Sequence, residues 1–105
     1  MQEILDQAQE WRARGDQVAL ATVTWTDGST PRPVGAAMAI NSRGEFAGSV
    51  SGGCVEGAVI EQAREVIRTG QPRLVSYGIA DEMAWDVGLA CGGRIKVFIE
   101  NIAND

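Results

Sequence analysis

The sequence has no histidine, two cysteines, three prolines and few aromatic residues. Without histidine it lacks the usual general base near neutral pH and the commonest metal ligand. Two cysteines alone cannot complete a tetrahedral structural zinc site within one chain, so no metal site is expected. They are also too few for a disulfide framework, and in a reducing compartment they remain thiols. No apolar run approaches the roughly 20 residues needed to cross a bilayer. The opening segment MQEILDQAQEWRARG is polar and periodic and lacks the layout of a secretory signal. These features predict a cytoplasmic protein with no membrane insertion. Positive charge is also scarce: nine Lys and Arg stand against 14 Asp and Glu, a net charge of -5. Such a surface repels polyphosphate backbones and anionic lipid, which argues against nucleic acid as a partner.

What the chain does have is a globular composition, 45% apolar and 22% charged over 105 residues. That length suits one domain with an ordinary core. Residues 2–14 place Ile4, Leu5, Ala8 and Trp11 on one stripe and predict an amphipathic helix. Val18 to Trp25 is apolar on both faces and rich in β-branched residues, as befits a strand covered on both sides. Ala36–Ile40 and Glu45–Val50 read as short strands joined by a turn over residues 41–44. Val55, Val59, Ala63 and Val66 keep the helical spacing of a second helix, which Gly70 ends. Arg73–Tyr77 reads as a strand, and Arg94–Glu100 as another whose drier face holds Ile95, Val97 and Ile99. The expected fold is α/β (α+β): a mixed sheet of about five strands packed by two main helices, with 1–105 as a single domain. The strand–helix–strand unit from Glu45 to Tyr77 suits a right-handed crossover.

Thirteen glycines cluster in segments able to carry chemistry. Ser49-Val50-Ser51-Gly52-Gly53-Cys54-Val55-Glu56 joins a strand to a helix. A glycine-rich turn there exposes amides at the positive end of a helix, where anions bind. The same field would favour the Cys54 thiolate, able to attack an electrophile, hold a sulfur or ligate a soft metal. The plainer reading is a tight turn followed by a small buried thiol. Cys91-Gly92-Gly93 closes a sixteen-residue segment, 78–93, with no clear period, and long loops in small domains often carry function. Arg32 stands between Pro31 and Pro33, a stiffened mount for a guanidinium that could grip phosphate or carboxylate, or simply face water. Glu82 and Asp86 could share a helical turn, but most such acids are merely solvated. The candidate binding residues are therefore Arg32, Ser51, Gly52, Gly53, Cys54, Glu56, Cys91, Gly92 and Gly93. Cys54 is the one candidate reactive thiol.

Gly28-Ser29-Thr30-Pro31-Arg32 with Gly35-Ala36, then Gly48-Ser49-Val50-Ser51-Gly52-Gly53-Cys54-Val55-Glu56, then Asp86-Val87-Gly88-Leu89-Ala90-Cys91-Gly92-Gly93, resemble in order and placement the XdhC/CoxI family. The resemblance spans nearly the whole chain. It implies an accessory factor for maturation of molybdenum hydroxylases such as xanthine dehydrogenase, acting as a chaperone more than as an enzyme. It implies molybdenum cofactor (molybdopterin) as bound cargo, with assistance to its sulfuration or insertion. The implied partners are an apo molybdenum hydroxylase and a cysteine desulfurase. Many members of that family carry a second, dinucleotide-binding-like domain after this one; none is expected within these 105 residues. The residues themselves leave two further readings open, a cysteine-dependent sulfur-transfer enzyme and a non-catalytic interaction or regulatory domain. A small sheet with open edges could also pair into a homo-oligomer.

Overall fold

The computed structural model describes residues 2–28, 32–51, 55–78 and 93–102. The elements in chain order are helix α1 (Gln2–Ala13), strands β1 (Val18–Asp27), β2 (Ala37–Asn41) and β3 (Phe46–Gly48), helix α2 (Glu56–Thr69), and strands β4 (Arg73–Tyr77) and β5 (Arg94–Asn101). The strands form one sheet in the order β3-β2-β1-β5-β4. All four neighbouring pairs are antiparallel. The described sheet is therefore antiparallel throughout, where a mixed one was expected. β3 and β4 each stand two pairings from β1 and run in its direction, but they occupy opposite edges with three strands between them.

The two helices cover opposite faces. α2 lies over β1, β2 and β5. Its apolar stripe of Val59, Ala63 and Val66 packs on Ala19, Ala21, Val23, Met38, Ile40, Val97 and Ile99, all buried. Each residue of this kind buried against the sheet contributes about 1.5–3 kcal/mol of transfer free energy, except alanine, which contributes less. α2 ends where Gly70 takes a left-handed conformation (φ 74°) and donates its N–H to the Val66 carbonyl at 2.8 Å. α1 covers the other face over β1, β2 and β3, with Ala8 and Trp11 against Val18 and Ala39. The chain from Val18 is therefore covered on both sides, as its composition predicted.

β1 runs two residues beyond the expected strand, to Asp27, and it carries an irregularity. Its register with β5 shifts between Val23 and Trp25, so Thr24 has no partner in the ladder. The bulge inverts the alternation beyond it. Trp25 is set opposite Lys96, on the face away from α2, where the Lys96 ammonium lies 5.3 Å from its ring centre. β3 stops at Gly48, short of the expected Val50: the Ser49 N–H still reaches the Ala37 carbonyl at 3.2 Å, but the amides after it bond elsewhere. Gly48 itself is required: its φ is 87°, and a Cβ there would come within 2.5 Å of the Ala37 carbonyl oxygen and 2.7 Å of Ile4 Cδ1.

Candidate functional site

Strand direction brings the roots of the three glycine-rich segments to one end of the sheet. β1 ends and β5 begins there, in the pair Asp27–Arg94, and β4 ends there in the pair Tyr77–Ile95. β2 begins and β3 ends at the same edge of the sheet, through the pair Met38–Gly48. The segment after β1, the segment from β3 into α2, and the segment from β4 to β5 therefore all leave from or return to this end. Asp27 and Arg94 form an ion pair that ties the first root to the third. The first segment is closed at its base by Gly35 N–H to the Val23 carbonyl and Val23 N–H to the Ala36 carbonyl, both 2.9 Å.

The second root is held by Glu56, the first residue of α2. Its Oε2 accepts from the Ser49 hydroxyl at 2.7 Å, the Val50 amide at 3.0 Å and the Ser51 amide at 2.9 Å. Its Oε1 accepts from the Ser51 hydroxyl at 2.5 Å. The Ser51 oxygen in turn accepts the Val55 amide at 2.9 Å. Residues 52–54 are thus bracketed by a hydrogen-bonded clasp. Both Ser51 and Glu56 are buried. Burial pushes the Glu56 carboxyl up, but the donors from Ser51, Ser49 and Val50 outweigh it and hold the group at about 2. This is why β3 ends early: the amides of Val50 and Ser51 turn to a carboxylate instead of a strand.

Of the residues predicted for the site, Arg32 is exposed on the first segment, Ser51 and Glu56 form the clasp, and Gly93 is buried at the foot of β5. Gly52, Gly53, Cys54, Cys91 and Gly92 lie outside the described residues, as do Glu82 and Asp86. Sequence reading placed Glu56 among the binding residues; its oxygens accept from the chain's own donors. Sequence pattern gives no signal for this: an acid in the first turn of a helix ordinarily serves the helix-start amides, but the amides of Val50 and Ser51 lie before the helix. Sequence reading also passed over Tyr77. Its side chain is buried at the end of β4, its hydroxyl has no hydrogen-bond partner among the described residues, and burial, with the Glu61 charge, pushes it up to about 12. A cavity of about 380 Å³ lined by Ser42, Arg64, Glu65, Ile67 and Arg68 lies against the second half of α2, away from the loop end, and holds none of the predicted residues. Among the described residues no cluster of three or more His, Cys, Asp or Glu could hold a metal ion. No helix there is long and apolar enough to cross a membrane.

A five-stranded antiparallel sheet with a helix on each face, and three glycine-rich segments rooted at one end, defines a small α/β domain. The chain belongs to the XdhC and CoxI family, whose sequence profile matches residues 11–78. It is 36% identical over 100 residues to the molybdenum cofactor insertion chaperone PaoD of Escherichia coli, a match covering 94% of this chain and 31% of that protein. It is 32% identical over 92 residues to a probable xanthine dehydrogenase subunit of Bacillus subtilis, covering 86% of this chain and 28% of that protein. Its fold superposes on a crystal structure described as a xanthine dehydrogenase from Bacillus halodurans with a TM-score of 0.76 and 29% identity, over 94% of this chain and 30% of that one. The chain thus spans about a third of the length of these relatives.

Proposed function

We propose that this domain handles the molybdenum cofactor on behalf of a xanthine dehydrogenase-like molybdenum hydroxylase and passes it to the apoenzyme, running no turnover of its own. The observation that carries this reading is the common root of the three glycine-rich segments. A domain that roots a guanidinium-bearing segment and two cysteine-bearing segments at one sheet end suits a guest with a phosphate at one extremity and sulfur at the other. The likeness to a cofactor insertion chaperone over nearly all of this chain supports the same reading. Arg32 is assigned to the phosphate, because charge-assisted contacts to a guanidinium are strong and directional. Cys54 and Cys91 are assigned to the sulfur-bearing end, where a cysteine desulfurase could deliver sulfur. Such thiols stay reduced in the cytoplasm, the compartment this function requires.

The test is co-elution. Cofactor released from a molybdenum hydroxylase is mixed with the purified chain and passed over a sizing column, and the bound fraction is then offered to apoenzyme. Retention of the pterin and recovery of hydroxylase activity are expected. Arg32→Ala should weaken retention roughly 10- to 100-fold, the equivalent of a charge-assisted contact worth about 1.5–3 kcal/mol. Absence of retention under conditions where an established carrier binds would refute the proposal.

A further inference from the structure

Arg64, Ile67 and Arg68 stand three and four residues apart on α2 and so share one side of the helix. With Glu65, and with Ser42 of the turn between β2 and β3 across a gap, they line the cavity of about 380 Å³. That turn lies at the end of the sheet opposite the roots of the glycine-rich segments. The walls are fixed. Ile67 packs on the core beneath α2. The turn is pinned by the Ser42 amide to the Gln17 carbonyl at 2.9 Å, and by the Arg43 and Glu45 amides to Asn41 Oδ1 at 3.0 and 2.9 Å.

Charge in this hollow is unbalanced. Glu65 accepts from Arg68 Nε at 3.1 Å and from its Nη2 at 2.6 Å, so that pair neutralises itself. Glu45, just beyond the turn, is taken by Arg14 and Asn41. Arg64 is left over. Among the described residues it has no hydrogen bond or ion pair, and the Ser42 hydroxyl has no hydrogen bond. The Arg64 side chain nevertheless reaches across to the turn, where Nη1 lies 4.0 Å from the place that a Cβ on Gly44 would occupy. This happens in a chain of net charge -5, where acids to pair with are in excess. A guanidinium and a hydroxyl at one hollow, both without an acceptor, are the donors an oxyanion uses.

We propose that this hollow is a binding site for a small organic oxyanion, a phosphate monoester or a carboxylate, whose charged head accepts from Arg64 and the Ser42 hydroxyl and whose apolar body lies against Ile67. The volume is at the lower end of the range of small-molecule pockets, about 300–1,000 Å³, and exceeds what a bare ion needs. The guest meets one negative group, Glu65, and Arg68 already holds it. Both headgroups suit a guanidinium, which offers paired N–H donors in a fixed fork. The site is at the other end of the sheet from the glycine-rich segments, so the inference does not rest on the carrier reading and is tested without molybdenum cofactor.

The probes are n-butyl phosphate in one arm and butyrate in the other, titrated at constant ionic strength and neutral pH into the 15N-labelled chain. The Arg64 Nε–H signal and the Ser42 and Ile67 amides are followed by NMR. Saturable shifts of these signals are expected, and the arm that saturates at the lower concentration identifies the headgroup. Arg64→Gln should weaken binding about ten-fold or more, the loss of one charge-assisted contact, while Tm stays level because Arg64 holds no other group of the described chain. Glu65→Gln removes the one carboxylate of the hollow and frees Arg68, and should tighten binding by about three-fold. Glu3→Gln makes the same charge change on α1, on the opposite face, and should leave binding unaltered. Absence of saturation in both arms overturns the proposal. So does an Arg64→Gln variant that binds with less than the expected weakening. Equal tightening by Glu65→Gln and Glu3→Gln would show a response to net charge alone and would overturn it too.

Discussion

Removing the charge of Glu56 should cost more stability than any other single charge removal among the described residues, and the cost should depend on pH. In the folded chain the group titrates at about 2, against an ordinary 4.5. A displacement of that size corresponds to about 3 kcal/mol, and partial solvent access trims it to about 2. The sign is fixed by the direction of the shift. A carboxyl lowered on folding stabilises the native state above its unfolded value of about 4.5, and the contribution fades as pH falls towards 2. Glu56→Gln keeps one oxygen for four donors, and its NH₂ is turned against them. Unsatisfied buried donors add about 1–3 kcal/mol each. The variant should therefore lose about 2–4 kcal/mol at pH 7. For a domain of this size that is a fall in Tm of about 10–20 °C. Urea unfolding of both proteins between pH 7 and pH 2.5, followed by far-UV circular dichroism, is the assay. The two curves should stand apart at pH 7 and converge as the wild type becomes protonated. A gap at pH 7 below about 0.5 kcal/mol, or one of constant size down to pH 2.5, would refute the reasoning.

Two further substitutions probe the frame around the site. Gly48→Ala places a Cβ within 2.5 Å of the Ala37 carbonyl oxygen and 2.7 Å of Ile4 Cδ1, at a positive φ; a loss of about 3 kcal/mol or more in urea unfolding is expected, and a loss under 1 kcal/mol would show that β3 and α1 can separate cheaply. Tyr77→Phe removes a buried hydroxyl with no hydrogen-bond partner among the described residues, so stability should stay level or rise by up to about 1 kcal/mol, whereas a loss of 1 kcal/mol or more would show that the hydroxyl is satisfied.

Local pattern made much of the fold legible. The stripe of Val55, Val59, Ala63 and Val66 has the helical period, and Gly70 marks the stop; α2 lies over Glu56–Thr69. Ile95, Val97 and Ile99 alternate as a half-buried strand must, and they line the face under α2. Trp25 escaped the same logic. Alternation from Ala19, Ala21 and Val23 puts it under α2, but the irregularity at Thr24 moves it to the opposite face beside Lys96. A bulge is fixed by pairing with a distant strand, and no local signal in VALATVTW encodes it. The early end of β3 was hidden for a related reason, because a side chain five residues beyond Ser51 captures the strand's amides. For the site, the exposure of Arg32 was legible from its place between two prolines, whereas the hydrogen bonds that Glu56 accepts from Ser49, Val50 and Ser51 were not. A carboxylate that accepts from its own chain and one that faces a ligand look the same in sequence.

The gathering of the three segments follows from strand parity more than from any one motif. Antiparallel neighbours return the chain to the end it left, so the β1–β2 and β4–β5 connections share an end as soon as β1 and β4 run the same way. They do so because β5 lies between them and pairs antiparallel with both. β3, antiparallel to β2, also finishes at that end, and so α2 must start there and cross to the far end to enter β4. The far end receives the connections α1–β1, β2–β3 and α2–β4, each a few residues long. It is secured by polar contacts: Asn41 Oδ1 accepts the Arg43 and Glu45 amides at 3.0 and 2.9 Å, and Asp16 pairs with Arg14 and Arg43. Long glycine-rich connections at one end and short pinned turns at the other are two results of one topology. To move the root at Ser51 to the other end of the sheet would require one strand more or one fewer before it, which no change confined to the connections can supply.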